Sequence, residues 1–436
     1  MSVVYNGSLS QRGLLCLRCP QNLPENLDVA DMIHTTSLSE TEFPYTYDQL
    51  KDQGMPARCF PKNIFLRNLP AMSSSGEAFS PIFGMQIYFF DGGMIVATIC
   101  HHGIFSGEER AKFTQTLASN CKNIGEGKRF EDTEYAYAHD QEAQDHIWAS
   151  LTPPPPYDWR GVLKQCPEFT TCEGGNEEPI KDNTSVTSRL FTFSAASIRQ
   201  LKDSIINQLS DSVRDRCANT AASEDPGRKD NPLHSLSSFV CLTALVWHHL
   251  TLARVPRLDP EEPSSIFIPV NLRMRGLVPS MAFPGCSILE PCAELPVAEV
   301  ASSAPDTLFK LAQFVRNAID QVDHAYLSQR LQLFTSIPDV TELRHTGETA
   351  RCRAGFKMNN WAMFGADAEW NIVGTATGAP EWVRKPWSAI EGYAIVLPRK
   401  NDPDADWEVT LGLREEDMEQ LLGDNEFMAS VKRVVE

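Results

Sequence analysis

The sequence predicts a mixed α/β protein folded as two lobes with mixed sheets. Strand-like and helix-like segments follow one another irregularly, without the strand–helix repeat of a Rossmann sheet or a barrel. Four consecutive prolines, Pro153 to Pro156 in LTPPPPYDWRG, cannot belong to a helix interior or a central strand and read as a crossover between units. A chain of 436 residues is long enough for two ordinary domains or one large two-lobed unit. The expected division places residues 1–165 in the first lobe and 166–436 in the second.

The elements follow in order. GMQIYFF, then Asp91-Gly92-Gly93, then MIVATIC, reads as a hairpin whose turn tolerates positive φ; it delivers Cys100, His101 and His102 to its far end. GEERAKFTQTLASNC has helical composition, with Glu108 and Glu109 in the first turn, where the helix dipole favours negative charge. After the crossover, SRLFTFSA is strand-like and SAASIRQLKDSIINQL reads as a helix capped by Ser194. The polar stretch NTAASEDPGRKDNP at 219–232 reads as a surface loop before the apolar helix SLSSFVCLTALVWHHLTLARV. SSIFIPVNLRMR is expected to be a strand leaving through Arg273 and Arg275, and DTLFKLAQFVRNAIDQVDHAYLSQRL one long helix. GYAIVLPRK and WEVTLGL read as short strands ahead of a closing helix from Glu415.

Composition narrows the function. With 42% apolar, 9% aromatic and 22% charged residues the chain is expected to fold, and disordered or collagen-like classes are disfavoured. A formal charge of -18 without any Lys/Arg run would repel a phosphate backbone, so no nucleic-acid partner is expected. The start, MSVVYNGSLSQRGLLC, lacks the pattern of a secretory signal, and no uninterrupted apolar stretch is long enough for a membrane span. A reduced, cytoplasmic, monomeric protein is expected. Among twelve cysteines, Cys16 and Cys19 form a lone CxxC with no second half to complete a zinc site, so no metal is expected.

IVATICHHGIFSG carries the chemistry. A histidine at the end of a strand, followed by small and apolar residues, can point its imidazole into a cleft, and an ordinary imidazole accepts a proton at cellular pH. Taken alone, the segment reads more readily as holding a structural histidine. His248 and His249, inside an apolar helix, read as core or surface residues. Ser106 stands four residues beyond His102, but the Gly-x-Ser-x-Gly elbow of a serine hydrolase is absent.

His101-His102-Gly103-Ile104-Phe105-Ser106-Gly107 resembles the first motif of the BAHD acyltransferases, particularly the fungal branch that includes trichothecene acetyltransferases. That motif is a His, three variable residues, an Asp and a Gly, often preceded by another His. Further landmarks fall in the family's order: FPYTYDQLKDQGMP, the Ser-led helix with Trp247, PVNLRMR, EWVRKP and the closing strands. NNWAMFGADAEWNIVG stands where the family places Asp-Phe-Gly-Trp-Gly, keeping Asp367 and Trp370 but carrying Ala368, Glu369 and Asn371. The likeness runs from about residue 15 to the C-terminus.

The resemblance implies a chloramphenicol acetyltransferase-like fold with a channel between lobes, entered by acyl-CoA and by a small-molecule acceptor. It implies transfer of an acyl group, acetyl above all, to a hydroxyl or amine of a secondary metabolite, with His102 as general base and no metal. Asn360 becomes a candidate oxyanion donor, with a turn role equally open. His101, Ser106, Gly107, Arg273, Asp367 and Trp370 are motif or scaffold positions. Relatives carry a further strand and helix ahead of this residue 1, so the first lobe is expected to be short at its start. The resemblance also implies that the motif Asp pairs with the Arg of PVNLRMR, here Arg273; with Ser106 in its place, Arg273 must find another acceptor, stay wet, or see the site rearranged. That departure and the altered second motif keep open a CoA-independent cyclisation, isomerisation or dehydration on the same fold, and the expected short start keeps open an inactive binding protein from a truncated chain.

Overall fold

The computed structural model of the chain describes residues 2–6, 14–18, 33–65, 80–128, 158–171, 185–207, 236–278, 286–347 and 353–436. The four prolines, the 219–232 loop and the Cys19 half of the CxxC lie outside these residues.

Alternating apolar residues in Phe83–Phe90 and Gly93–Cys100 make the expected hairpin, in antiparallel register from Phe83 opposite Cys100 to Phe90 opposite Gly93. Its turn is Asp91-Gly92, one residue tighter than expected, because Gly92 adopts φ +72° and Gly93 already pairs in the strand. Ile33–Ser37 joins the hairpin in parallel, completing a three-stranded sheet. A cluster of Phe43, Leu50, Phe65 and Tyr88 packs beside it, with Trp382 from far along the chain against the same cluster. Arg384 donates to the carbonyls of Gly54 at 3.1 Å and Met55 at 2.9 Å while pairing with Glu408 at 2.7 Å, which pins the C-terminal sheet to this cluster.

The larger sheet has seven strands in the order Cys292–Pro296, Pro263–Phe267, Phe356–Asn360, Tyr393–Val396, Trp407–Arg414, Val186–Phe193, Arg433–Val435. Phe356–Asn360 runs parallel to both neighbours and the other pairings are antiparallel, so the sheet is mixed. Its core centres on the Ser238–Arg254 helix, where Trp247, Leu250 and Leu242 are fully enclosed. A helix apolar all round is a core helix. Among the described residues Ser238–Arg257 is the one helix long and apolar enough to cross a membrane, and 78% of that apolar window is buried inside the protein. Its last turn buries Arg254 against Asp417 and Glu391.

Two expectations are corrected. The long helix is two, Thr307–Asp320 and His324–Ser336, because Asp323 accepts the Tyr326 N–H at 2.8 Å and caps a new start. The strand through PVNLRMR breaks: Pro263–Phe267 stays in the large sheet, Val270–Asn271 pairs instead with Ile288–Leu289, and Arg273 falls in the turn beyond. Ser194 caps its helix as expected, its Oγ accepting the Ser197 N–H at 2.9 Å.

Candidate active site

The Gly93–Cys100 strand ends in a tight turn that carries His102. The His101 N–H donates to the Ile82 carbonyl at 2.9 Å, and the His101 carbonyl accepts from Ile104 and Phe105, each at 3.0 Å. His101 Nδ1 accepts the Gly103 N–H at 3.2 Å, which requires an unprotonated nitrogen there. Burial, then the neighbouring His102, hold the His101 pKa below the usual imidazole value, so that acceptor is kept. The Gly103 carbonyl in turn accepts from the Cys286 N–H at 3.4 Å, tying the turn to the segment before Ile288–Leu289. His102 itself is exposed, so its ring is open to a small molecule and not sealed in packed hydrocarbon.

Ser106 is the N-cap of the Gly107–Gly125 helix and is 1% exposed. Its N–H donates to Glu109 Oε2 at 2.7 Å and its Oγ donates to the same oxygen. The other carboxylate oxygen of Glu109 pairs with the Arg273 guanidinium, both groups buried. The charge expected at position 106 is therefore present one turn further along. Arg273 has an acceptor, and the site is not left with an orphaned buried cation. Asn271 reinforces the joint: its Nδ2 donates to Glu108 Oε2 at 2.7 Å and its Oδ1 accepts the Arg273 N–H at 2.9 Å. These bonds also employ the Ser106 hydroxyl as a cap, which removes the case for a serine nucleophile.

Gly107 explains itself by contact. A Cβ there would overlap the ring of Phe364, which occupies the space a side chain would need. The first turn of this helix thereby packs on the Trp361–Asn371 segment. Arg110 lies over the Trp361 ring at 5.6 Å, and Lys122 pairs with Glu369 at the helix's far end. Gly107→Ala is expected to destabilise the fold by about 1–3 kcal/mol through overpacking, read by denaturant unfolding; a loss below a few tenths would show that Phe364 moves aside freely.

Asn360 ends the parallel strand Phe356–Asn360, exposed, with its Oδ1 accepting the Ala362 N–H at 3.0 Å. The turn role is real, and it fixes the amide so that Nδ2 is the group left to donate. Asp367 Oδ2 accepts the Asn401 N–H at 2.8 Å, and Trp370 donates its backbone N–H to Gly378 at 2.7 Å, so both brace the segment. The turn that carries His102 and the segment that follows Asn360 meet through the Gly107–Gly125 helix. His248 bonds the Val300 carbonyl and His249 bonds Asp424, each at 2.7 Å, inside the core. Among the described residues no group of three or more His, Cys, Asp or Glu is placed to hold a metal.

Glu109 was legible as more than a dipole partner: Ser106-x-x-Glu109 is the capping-box pattern. No local signal marks Phe364 or Arg110, whose contacts come from distant sequence.

The model of the Transferase family matches residues 57–428. A trichothecene 3-O-acetyltransferase of Fusarium sporotrichioides is 23% identical over 396 residues, covering 89% of this chain and 77% of its own. An acyltransferase of Emericella nidulans is 24% identical over 419 residues, 88% of this chain and 75% of the relative. The crystal structure of Fusarium graminearum TRI101 complexed with coenzyme A and T-2 mycotoxin superposes with TM-score 0.72 at 19% identity, over 100% of this chain and 87% of that one.

Proposed function

The chain belongs to the Transferase family, the acyl-CoA-dependent BAHD acyltransferases, and from that premise we propose that it transfers an acyl group, acetyl above all, to a hydroxyl or amine of a small secondary metabolite with His102 as general base. The observation that supports this most is the exposed His102 on a turn braced at Gly103 and again through Ser106, Glu109 and Arg273. The names of the relatives, a trichothecene 3-O-acetyltransferase and a tryptamine benzoyltransferase, cover both acceptor types.

Acyl-CoA is the co-substrate and brings the thioester. His102 takes the proton of the acceptor hydroxyl or amine as its oxygen or nitrogen bonds to the thioester carbonyl carbon. The carbonyl oxygen gains charge, and Asn360 Nδ2, with its partner oxygen already engaged by Ala362, is the donor we assign to it. The tetrahedral adduct collapses by breaking the carbon–sulfur bond, and the imidazolium returns its proton to the leaving thiolate. No acyl-enzyme forms. Residues 1–165 form one lobe and 166–436 the other in this reading, with acceptor and acyl-CoA meeting between them. With Arg273 met by Glu109, the departure at Ser106 by itself no longer argues for a CoA-independent reaction on the same fold.

Asn360→Ala is expected to lower kcat by about 10²–10³-fold with little change in KM for acyl-CoA; an unchanged kcat would return Asn360 to a turn role alone. The reaction itself is tested by incubating the protein with a panel of acyl-CoAs and an extract of fungal metabolites. A mass gain of one acyl group on a metabolite, dependent on enzyme and acyl-CoA together, is expected; no such product from any pair would sink the proposal.

A further inference from the structure

Among the described residues, buried and half-buried arginines are typically met by carboxylates or carbonyls. Arg254 has Glu391 and Asp417, Arg273 has Glu109, Arg330 has Glu168, Arg384 has Glu408, and Arg399 bonds the carbonyls of Asp402 and Ala405. Arg110 stands apart. Its side chain is half-buried and, among the described residues, no oxygen accepts from its guanidinium, which lies over the Trp361 ring at 5.6 Å. Burial pulls its pKa below the usual guanidinium value, with only the Cys100 thiol opposing. In a chain with 57 acidic and 39 basic residues, a half-buried guanidinium that no carboxylate of the described residues meets is a place for an anion from outside.

Its position says which partner. Cys100, whose thiol senses the Arg110 charge, ends the strand two residues before His102, and Trp361 follows Asn360. Arg110 thus touches the residue that follows the proposed oxyanion donor, and its charge acts on the residue two before the proposed base. The phosphates of coenzyme A are held away from the thioester by the whole pantetheine arm, so a cation whose neighbours adjoin the proposed base and oxyanion donor along the chain is poorly placed for them. Beside Trp361 the guanidinium keeps its fork of N–H donors, which matches a carboxylate in two parallel hydrogen bonds.

We propose that Arg110 recognises an anionic group on the acceptor, a carboxylate, in addition to the hydroxyl or amine presented to His102. This rests on the acyltransferase reading for the identity of the acceptor side.

The test uses the full chain as wild type, Arg110→Gln and Arg110→Lys, with melting curves confirming that each folds. Binding is measured for hydroxylated benzoates against their carboxamides, and for acetyl-CoA against acetyl-pantetheine, which lacks the nucleotide phosphates. The wild type is expected to prefer carboxylates by about ten-fold or more, as a charge-assisted hydrogen bond supplies; Arg110→Gln loses the preference, Arg110→Lys keeps part of it, and acetyl-CoA affinity is unchanged. Equal or undetectable binding of carboxylate and carboxamide, or a preference that survives Arg110→Gln, overturns the proposal. So does a variant that weakens acetyl-CoA but not acetyl-pantetheine, which would assign Arg110 to a coenzyme A phosphate. Wild type that binds neither thioester sinks the acyltransferase reading instead, while the carboxylate preference remains separately readable.

Discussion

Replacing His102 by Ala is expected to lower kcat for acyl transfer by about 10²–10⁴-fold, the usual worth of a positioned general base. Thermal and denaturant unfolding should be unchanged, because the His102 ring is exposed and its turn is held by other groups: the His101 carbonyl and Nδ1, the Gly103 carbonyl, and the Ser106 cap. The split between the two readouts is what gives the variant its meaning. A fall in activity together with a fall in stability would point to a structural histidine, and retained turnover would remove His102 from the mechanism.

The second large effect concerns the buried pair. Removing Glu109 leaves Arg273 in a site where both side chains are almost wholly buried, and also strips the Ser106 N–H and Oγ of their acceptor. Breaking a buried pair at one partner costs about 3–5 kcal/mol, so Glu109→Ala is expected to lose that much in denaturant unfolding and most of its activity with it. Ser106→Asp alone should destabilise rather than help, since it forces a second carboxylate against Glu109 in the same enclosed space. The double variant Ser106→Asp with Glu109→Ala puts the negative charge where the family carries it and is expected to recover a substantial part of both stability and activity. If Ser106→Asp alone stabilises the protein, Glu109 is not the carboxylate that satisfies Arg273.

These two sites show what the chain revealed in one dimension. Local order was legible: the strand pattern of Phe83–Phe90 and Gly93–Cys100, the Ser194 cap, and the all-apolar Ser238–Arg254 helix each follow from short-range rules. The helix break at Asp323 was not read, although Asp is a strong N-cap, because the apolar period continues across it and masks the stop. At the site, His102 was found by its motif and its place at a strand end. The fate of the missing Asp was not. Substituting the carboxylate of Glu109 depends on Arg273, far along the chain, lying beneath the first turn of the Gly107–Gly125 helix, and only folding brings them together. The same holds for Gly107, whose small size answers the ring of Phe364, and for Arg110, whose place over the Trp361 ring depends on residues far along the chain.

Direct transfer from a thioester through His102 is tested most squarely by intact-protein and small-molecule mass spectrometry of one reaction: wild type and His102→Ala, each with acetyl-CoA and a pool of hydroxyl- and amine-bearing metabolites. The expected result is an acetylated metabolite and free coenzyme A from the wild type, little of either from the variant, and no acetylated protein in either case. Product formed equally well without the imidazole, or acetyl groups accumulating on the wild-type protein itself, would contradict it.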